Sequence, residues 1–252
     1  VARTEAAAAL TVAHHRAQAQ IRAQALRDYV KLWPAWTPGD DHSFSALVAG
    51  AVTVVGSYHR MSGAAAVGYY GRFRAAEGIR GVATPKIAPV PPTEQITASL
   101  YVTGKVGYRD AKRRGQTDEG ARRNTLVRTS GAIARHVLAG GRDSLLASVH
   151  ADEQALGWAR VTDGDPCYFC LTLAARGPVY KSEQTAGFEA HDHCDCTAEP
   201  FYRGSAWPGR AREYQQIYDA AQQFGLDEGL LLPGENSSKA RLNAVRRYLA
   251  TR

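Results

Sequence analysis

All four cysteines of the 252-residue chain fall between positions 167 and 196. Disulfides that staple a domain are usually spread more widely. Thiols crowded into about thirty residues beside histidines, with no secretory signal in view, predict a metal site instead. The expectation of no signal rests on the N-terminus, where Arg16, Gln18 and Gln20 interrupt the alanine-rich start before any apolar stretch forms.

The spacing within the cluster narrows the chemistry. Cys167-Tyr-Phe-Cys170 sets two thiolates two residues apart, so that one turn can aim both at one ion. His191-Asp-His-Cys194-Asp-Cys196 follows about twenty residues on and offers four donors for two places. His191 with Cys194 repeats the two-residue spacing, His191 with Cys196 is close behind, and His193 is the weakest candidate. Zinc prefers four soft or borderline donors in a tetrahedron. A thiolate-rich set leaves no open position, so the expected role of Zn2+ is structural.

An enzyme must be weighed against this. Pro166-Cys167-x-x-Cys170 matches half of the zinc deaminase signature, whose other half is His-x-Glu. The only upstream echo, His150-Ala-Asp-Glu153, places its glutamate one residue late, and that assignment leaves the His191–Cys196 cluster without work. The nucleophile-elbow, His-Glu-x-x-His and Walker patterns are all missing. A deaminase- or nuclease-like zinc enzyme acting on nucleic acid is therefore the alternative, and no catalytic residue is assigned.

Around the cluster the pattern predicts an α+β chain: a mostly helical N-terminal part, a small zinc-containing α+β module at about 155–208, and C-terminal helices. Residues 3–32 are rich in Ala, Gln and Arg and carry few large apolar groups. They predict a weakly buried helix that reaches out to a partner and stops at Pro34. A second helix is expected after Asp41 or Ser43, through Val48 and Val55 towards Phe73. Pro85, Pro89, Pro91 and Pro92 make 81–92 an extended connector, so the chain divides into a helical region 1–92 and a second region 93–252. Helices should then run from Thr93 to Gly115 and from Thr117 to a stop at Gly140-Gly141, with a shorter one over 144–150. Strands are expected at 158–161, 179–181 and 196–202, a turn at 163–166, and final helices near 209–224 and 237–251. His14 and His15 are expected to be exposed, and His59 and His136 to be core or surface histidines without a ligand role.

No apolar run reaches the roughly 18 to 20 residues of a membrane span. Net charge is +7, and residues 1–115 carry roughly +8 while the module is mildly acidic, so the module is not expected to read nucleic acid. Arg109, Lys112, Arg113 and Arg114 form a short basic stretch suited either to sequence-indifferent DNA contact or to an acidic protein surface.

The order Trp158, Cys167-x-x-Cys170, Gly177-Pro-Val-Tyr180, then His191-x-x-Cys194-x-Cys196-Thr197 resembles the MuF-like minor head proteins of tailed bacteriophages, in the versions from phages of actinobacteria. The likeness covers roughly 117–202. It implies metal-type positions at Cys167, Cys170, His191, Cys194 and Cys196, with His193 standing where the family commonly has another polar residue. It further implies a virion protein at the portal vertex or capsid interior, present in host cytoplasm before assembly. Portal or major capsid protein would be its partners, possible non-specific contact with packaged DNA would follow, and its work would be head morphogenesis and genome delivery.

Overall fold

The computed structural model describes residues 4–81, 83–162, 164–180, 187–207 and 209–252, and they form an α+β fold. Asp163 of the expected turn and Lys181 of the expected second strand lie outside the described residues.

Helix α1 (Glu5–Leu32) starts at Thr4, whose side chain accepts from the Ala7 amide, and gives way to a 3-10 turn at Trp33–Ala35 that carries Pro34. Helix α2 (Asp41–Ala76) is capped by Asp40, one residue earlier than expected. The long α5 (Asp118–Ala151), capped by Thr117, packs along α2, and α1 lies against both. α1 is thus not an extension. Its buried face is made of Ala7, Thr11, His14, Gln18, Ala25 and Tyr29, and Thr11 and Gln18 find hydrogen-bond partners inside the fold. Gln18 and Ser62 exchange hydrogen bonds, Thr11 shares one with the Tyr69 hydroxyl at 2.8 Å, and the His14 ring stacks on Tyr69 with centroids 4.3 Å apart. A helix buried through small and polar groups shows no apolar stripe.

The proline-rich connector is pinned down. Ser148 and Ser144 of α5 accept from the Lys86 and Ala88 amides, and the Pro89 carbonyl meets the His59 ring at 3.0 Å. Beyond it, α3 (Thr93–Tyr101) widens into a π turn at Val102–Val106 and continues as α4 (Gly107–Arg113). One core joins residues from both sides of the connector: Tyr29, Trp33, Trp36, Phe44, Leu47 and Val55 with Ile96, Leu100, Ile133 and Val137.

The Gly140-Gly141 pair does not stop α5. Both glycines are buried inside it, and the helix expected over 144–150 is part of its C-terminal end. The sheet follows as β1 (Ala155–Val161), β2 (Pro178–Tyr180) and β3 (Thr197–Tyr202), all antiparallel, in the order β2-β1-β3. Trp158 stands opposite Val179 on one side and Pro200 on the other. A second core of Tyr69, Tyr70, Phe73, Leu145, Val149, Trp158 and Tyr202 seats this sheet on α2 and α5. Helix α6 (Tyr168–Ala175), not anticipated as a helix, packs with α7 (Ala211–Asp227) and α8 (Ser238–Leu249) through Leu171, Ala174, Tyr214, Ala221 and Val245.

Candidate metal centre

Cys167 is the N-cap of α6, in extended conformation, and Cys170 sits in that helix's first turn, so the two-residue spacing is set by a helix start. The second donor group comes from the segment running into β3. There the Cys194 amide donates to the His191 carbonyl at 3.2 Å, closing a tight turn. These two pieces of backbone bring five donors together: Cys167, Cys170 and His191 form one group, and Cys170, Cys194 and Cys196 another, the donor atoms of each group lying within 4.8 Å of one another. Cys170 belongs to both. His193 adopts φ 65° and its ring lies over Gly131 of α5, outside both groups.

The spacings suit a metal ion. Bonds of about 2.3 Å to sulfur and 2.0 Å to nitrogen require tetrahedral edges of about 3.8 Å between sulfurs and 3.5 Å between sulfur and nitrogen. The His191 Nε2 atom lies 3.0 Å from the Cys167 sulfur and 3.5 Å from that of Cys170, and Cys170 and Cys194 are 3.5 Å apart. His191 Nδ1 is 2.6 Å from the Asp192 carbonyl and donates to it, which leaves the Nε2 lone pair for a cation. The thiols perturb one another strongly. Hydrogen bonds from Cys170 and then from His191 lower Cys167 to about 5, while the bonds to Cys167, Cys194 and Cys196 push Cys170 far up. Thiols this close cannot all ionise against each other, and a divalent cation among them would remove the conflict.

Residues that bind no metal hold the donor segment in place. Asp195, between the two cysteines, is ion-paired with Arg22 of α1, and its carbonyl meets His15 Nε2 at 3.0 Å. Asp192 is paired with Arg135 of α5 at 2.8 Å. Arg142, also from α5 and 4% exposed, donates from Nε to the Cys196 carbonyl at 2.9 Å and from Nη2 to the Cys194 carbonyl at 2.7 Å. Sequence reasoning missed these residues. Their one visible signal was the pair of acids set among the histidines and cysteines, while the helical partners lie fifty to 180 positions away.

Cys167 is exposed, whereas Cys170, Cys194 and Cys196 are buried. The residues a deaminase would need are not gathered here: His150 is exposed at the end of α5, Glu153 lies in the next turn, and neither joins a metal-competent group among the described residues. The basic stretch lies on α4 and its cap. Arg109, Lys112, Arg113 and Arg114 are exposed, with Lys112 paired to Asp118 at 2.7 Å and Arg113 paired to Asp110.

Fold and site together define a long-helix body with a cysteine–histidine clamp that could hold a metal ion, and no described helix is long and apolar enough to cross a membrane. The chain belongs to the VG15 protein family, whose model matches residues 5–221, from the start of α1 through most of α7. It is also similar to the gene 15 protein of Mycobacterium phage D29, with 26% identity over 203 residues covering 64% of this chain and 72% of the relative. These two findings support a bacteriophage protein, a broader class than the MuF-like resemblance. No solved structure matches the chain.

Proposed function

We propose that this chain is a MuF-like structural minor head protein of a tailed phage, and that its cysteine–histidine cluster holds a structural zinc ion. The observation that carries the reading is the way the cluster is enclosed: two groups of three donors that share Cys170, three of the four thiols buried, and the donor segment fastened by arginines from two long helices. An ion held so joins α6 to the segment entering β3 and thereby closes the module against the helical body. Zinc supplies cross-linking there. The chain supplies the ligands from Cys167, Cys170, His191, Cys194 and Cys196, and the phage kinship supports a virion setting.

In this proposal the protein sits at the portal vertex or capsid interior, contacts portal or major capsid protein, and acts in head assembly and genome delivery without chemistry of its own. Two measurements test it. Elemental analysis of reduced, freshly purified protein should give close to one zinc per chain, and less than half of that overturns the structural zinc. Purified heads should contain the protein, and its absence from heads while it accumulates in infected cells overturns the virion assignment.

A further inference from the structure

Arg142 and Arg160 are both 4% exposed, and the guanidinium carbons lie 5.0 and 3.9 Å from the centre of the Phe188 ring. Arg160, from the central strand β1, donates from Nη2 to the Glu189 carbonyl at 2.6 Å, but among the described residues its Nε and Nη1 have no hydrogen-bond partner, nor has Nη1 of Arg142. Among the described residues neither arginine is ion-paired with a carboxylate. Two buried guanidinium groups that share one aromatic ring and donate, among the described residues, to backbone carbonyls alone would be destabilising by several kcal/mol without an anion nearby. The anion on offer is the thiolate cluster. Arg142 interacts electrostatically with Cys194, Cys196 and Cys170, and Arg160 with Cys196.

A zinc ion with three thiolates and one imidazole carries one net negative charge, and with four thiolates it carries two. We propose that Arg142 and Arg160 are the counter-charges of this site, and that Arg142 is in addition the positioning residue for the Cys194–Cys196 pair. The inference rests on the zinc reading above. Arg142 holds the carbonyls of both cysteines, so the two sulfurs face the ion from a fixed backbone. Phe188 keeps both charges in place through its ring face and shields the site from water. The arrangement matches the rule that groups around the ligands tune a metal site nearly as strongly as the ligands do.

The test uses the full-length reduced chain and Zn2+ in competition with a chromophoric chelator. Arg142→Gln and Arg160→Gln should each weaken zinc binding about 10- to 100-fold. Arg160→Lys, which keeps the charge, should bind zinc more tightly than Arg160→Gln, and Co2+-substituted variants should keep the wild-type thiolate charge-transfer band because no ligand is removed. Gln variants within about twofold of wild type, a lysine no better than glutamine at 160, or a lost thiolate band would each overturn the assignment. If Arg142→Gln fails to fold in excess zinc, the Arg160 pair decides. Wild-type protein that takes up no zinc overturns the zinc reading itself, whereas wild type that binds zinc no better than its Gln variants overturns only the counter-charge role.

Discussion

Gly140 of α5 presses so closely on His59 of α2 that a Cβ at position 140 would stand 2.1 Å from the His59 carbonyl oxygen. Gly63 approaches from the other helix, where a Cβ would meet Ser144 Oγ at 2.9 Å and the Gly140 carbonyl at 3.3 Å. The two longest helices therefore cross with backbone against backbone, and the obstacle at 140 is main chain that cannot rotate away. Gly140→Ala should lower stability by about 3 kcal/mol or more in denaturant unfolding. Gly71→Ala is the control. It lies exposed in α2 with nothing within 4 Å of the added carbon, and it should raise stability by roughly 0.5 to 1 kcal/mol.

Beneath the sheet, Arg74 donates from Nε to Asp152 at 2.9 Å, and Tyr70 adds its hydroxyl to the same oxygen at 2.7 Å. Asp152 follows the last residue of α5, so this buried pair ties that end of α5 to α2. Burial alone would raise the Asp152 carboxyl, but the bonds from Arg74 and Tyr70 outweigh it and the group lies below its ordinary value. Its contribution is present above the unfolded value of about 3.9 and is lost as pH falls below that. Asp152→Ala, which strands Arg74 in the interior, should destabilise by about 3 to 5 kcal/mol at neutral pH. Urea midpoints at pH 7 and pH 3.5 check both points, since the gap between wild type and variant should shrink at the lower pH.

Two histidines set a second acid limit at milder pH. Burial, then the neighbouring charges of His15 and Arg72, lowers His14 to about 4, and burial, then Arg135, lowers His136 to about 4. Both are neutral in the fold and bind protons more readily when unfolded. Their contribution is whole above the unfolded value near 6.5 and drains away as pH falls from there towards 4, by on the order of 3 kcal/mol each. His14→Leu should therefore lose less stability than wild type between pH 7 and pH 4.5. Parallel losses in the two proteins would remove His14 as the cause.

Much of this architecture was legible from residues 158–202, where strand pattern, Trp158 and donor spacing predict the sheet and the gathered cluster, and Thr117 opens its helix as read. Other features were not. α1 hides its packing because Gln18 and Thr11 bond to groups on α2, and His14 stacks on Tyr69 of the same helix, none of which any periodicity announces. Gly140 and Gly141 read as a stop because a glycine pair looks alike at a helix end and at a tight crossing, and only the presence of α2 distinguishes the two. The arginines supporting the cysteine–histidine cluster escaped because an arginine on a helix is ordinarily a solvated charge, and what makes Arg142 different is the segment leading into β3, more than fifty residues away.

In the virion role proposed above, the α4 stretch is the candidate for DNA contact. Arg109, Lys112, Arg113 and Arg114 are exposed on one short helix and its cap, yet Lys112 and Arg113 already face Asp118 and Asp110. An acid beside a lysine is itself repelled by phosphate, so the stretch neutralises fewer phosphates than its four cations suggest. Contact with packaged DNA would need no base readout and would release counterions in proportion to the phosphates neutralised, about 0.9 per phosphate on duplex DNA. With two of the four cations internally paired, replacing all four by glutamine should flatten the salt dependence by about two rather than about four in the log–log slope, with no change between unrelated sequences. Duplex binding at about 50 and 200 mM salt makes the measurement. No retention of DNA at the lower salt would assign the stretch to an acidic face of a protein partner, and a preference between sequences would contradict the phosphate-only account.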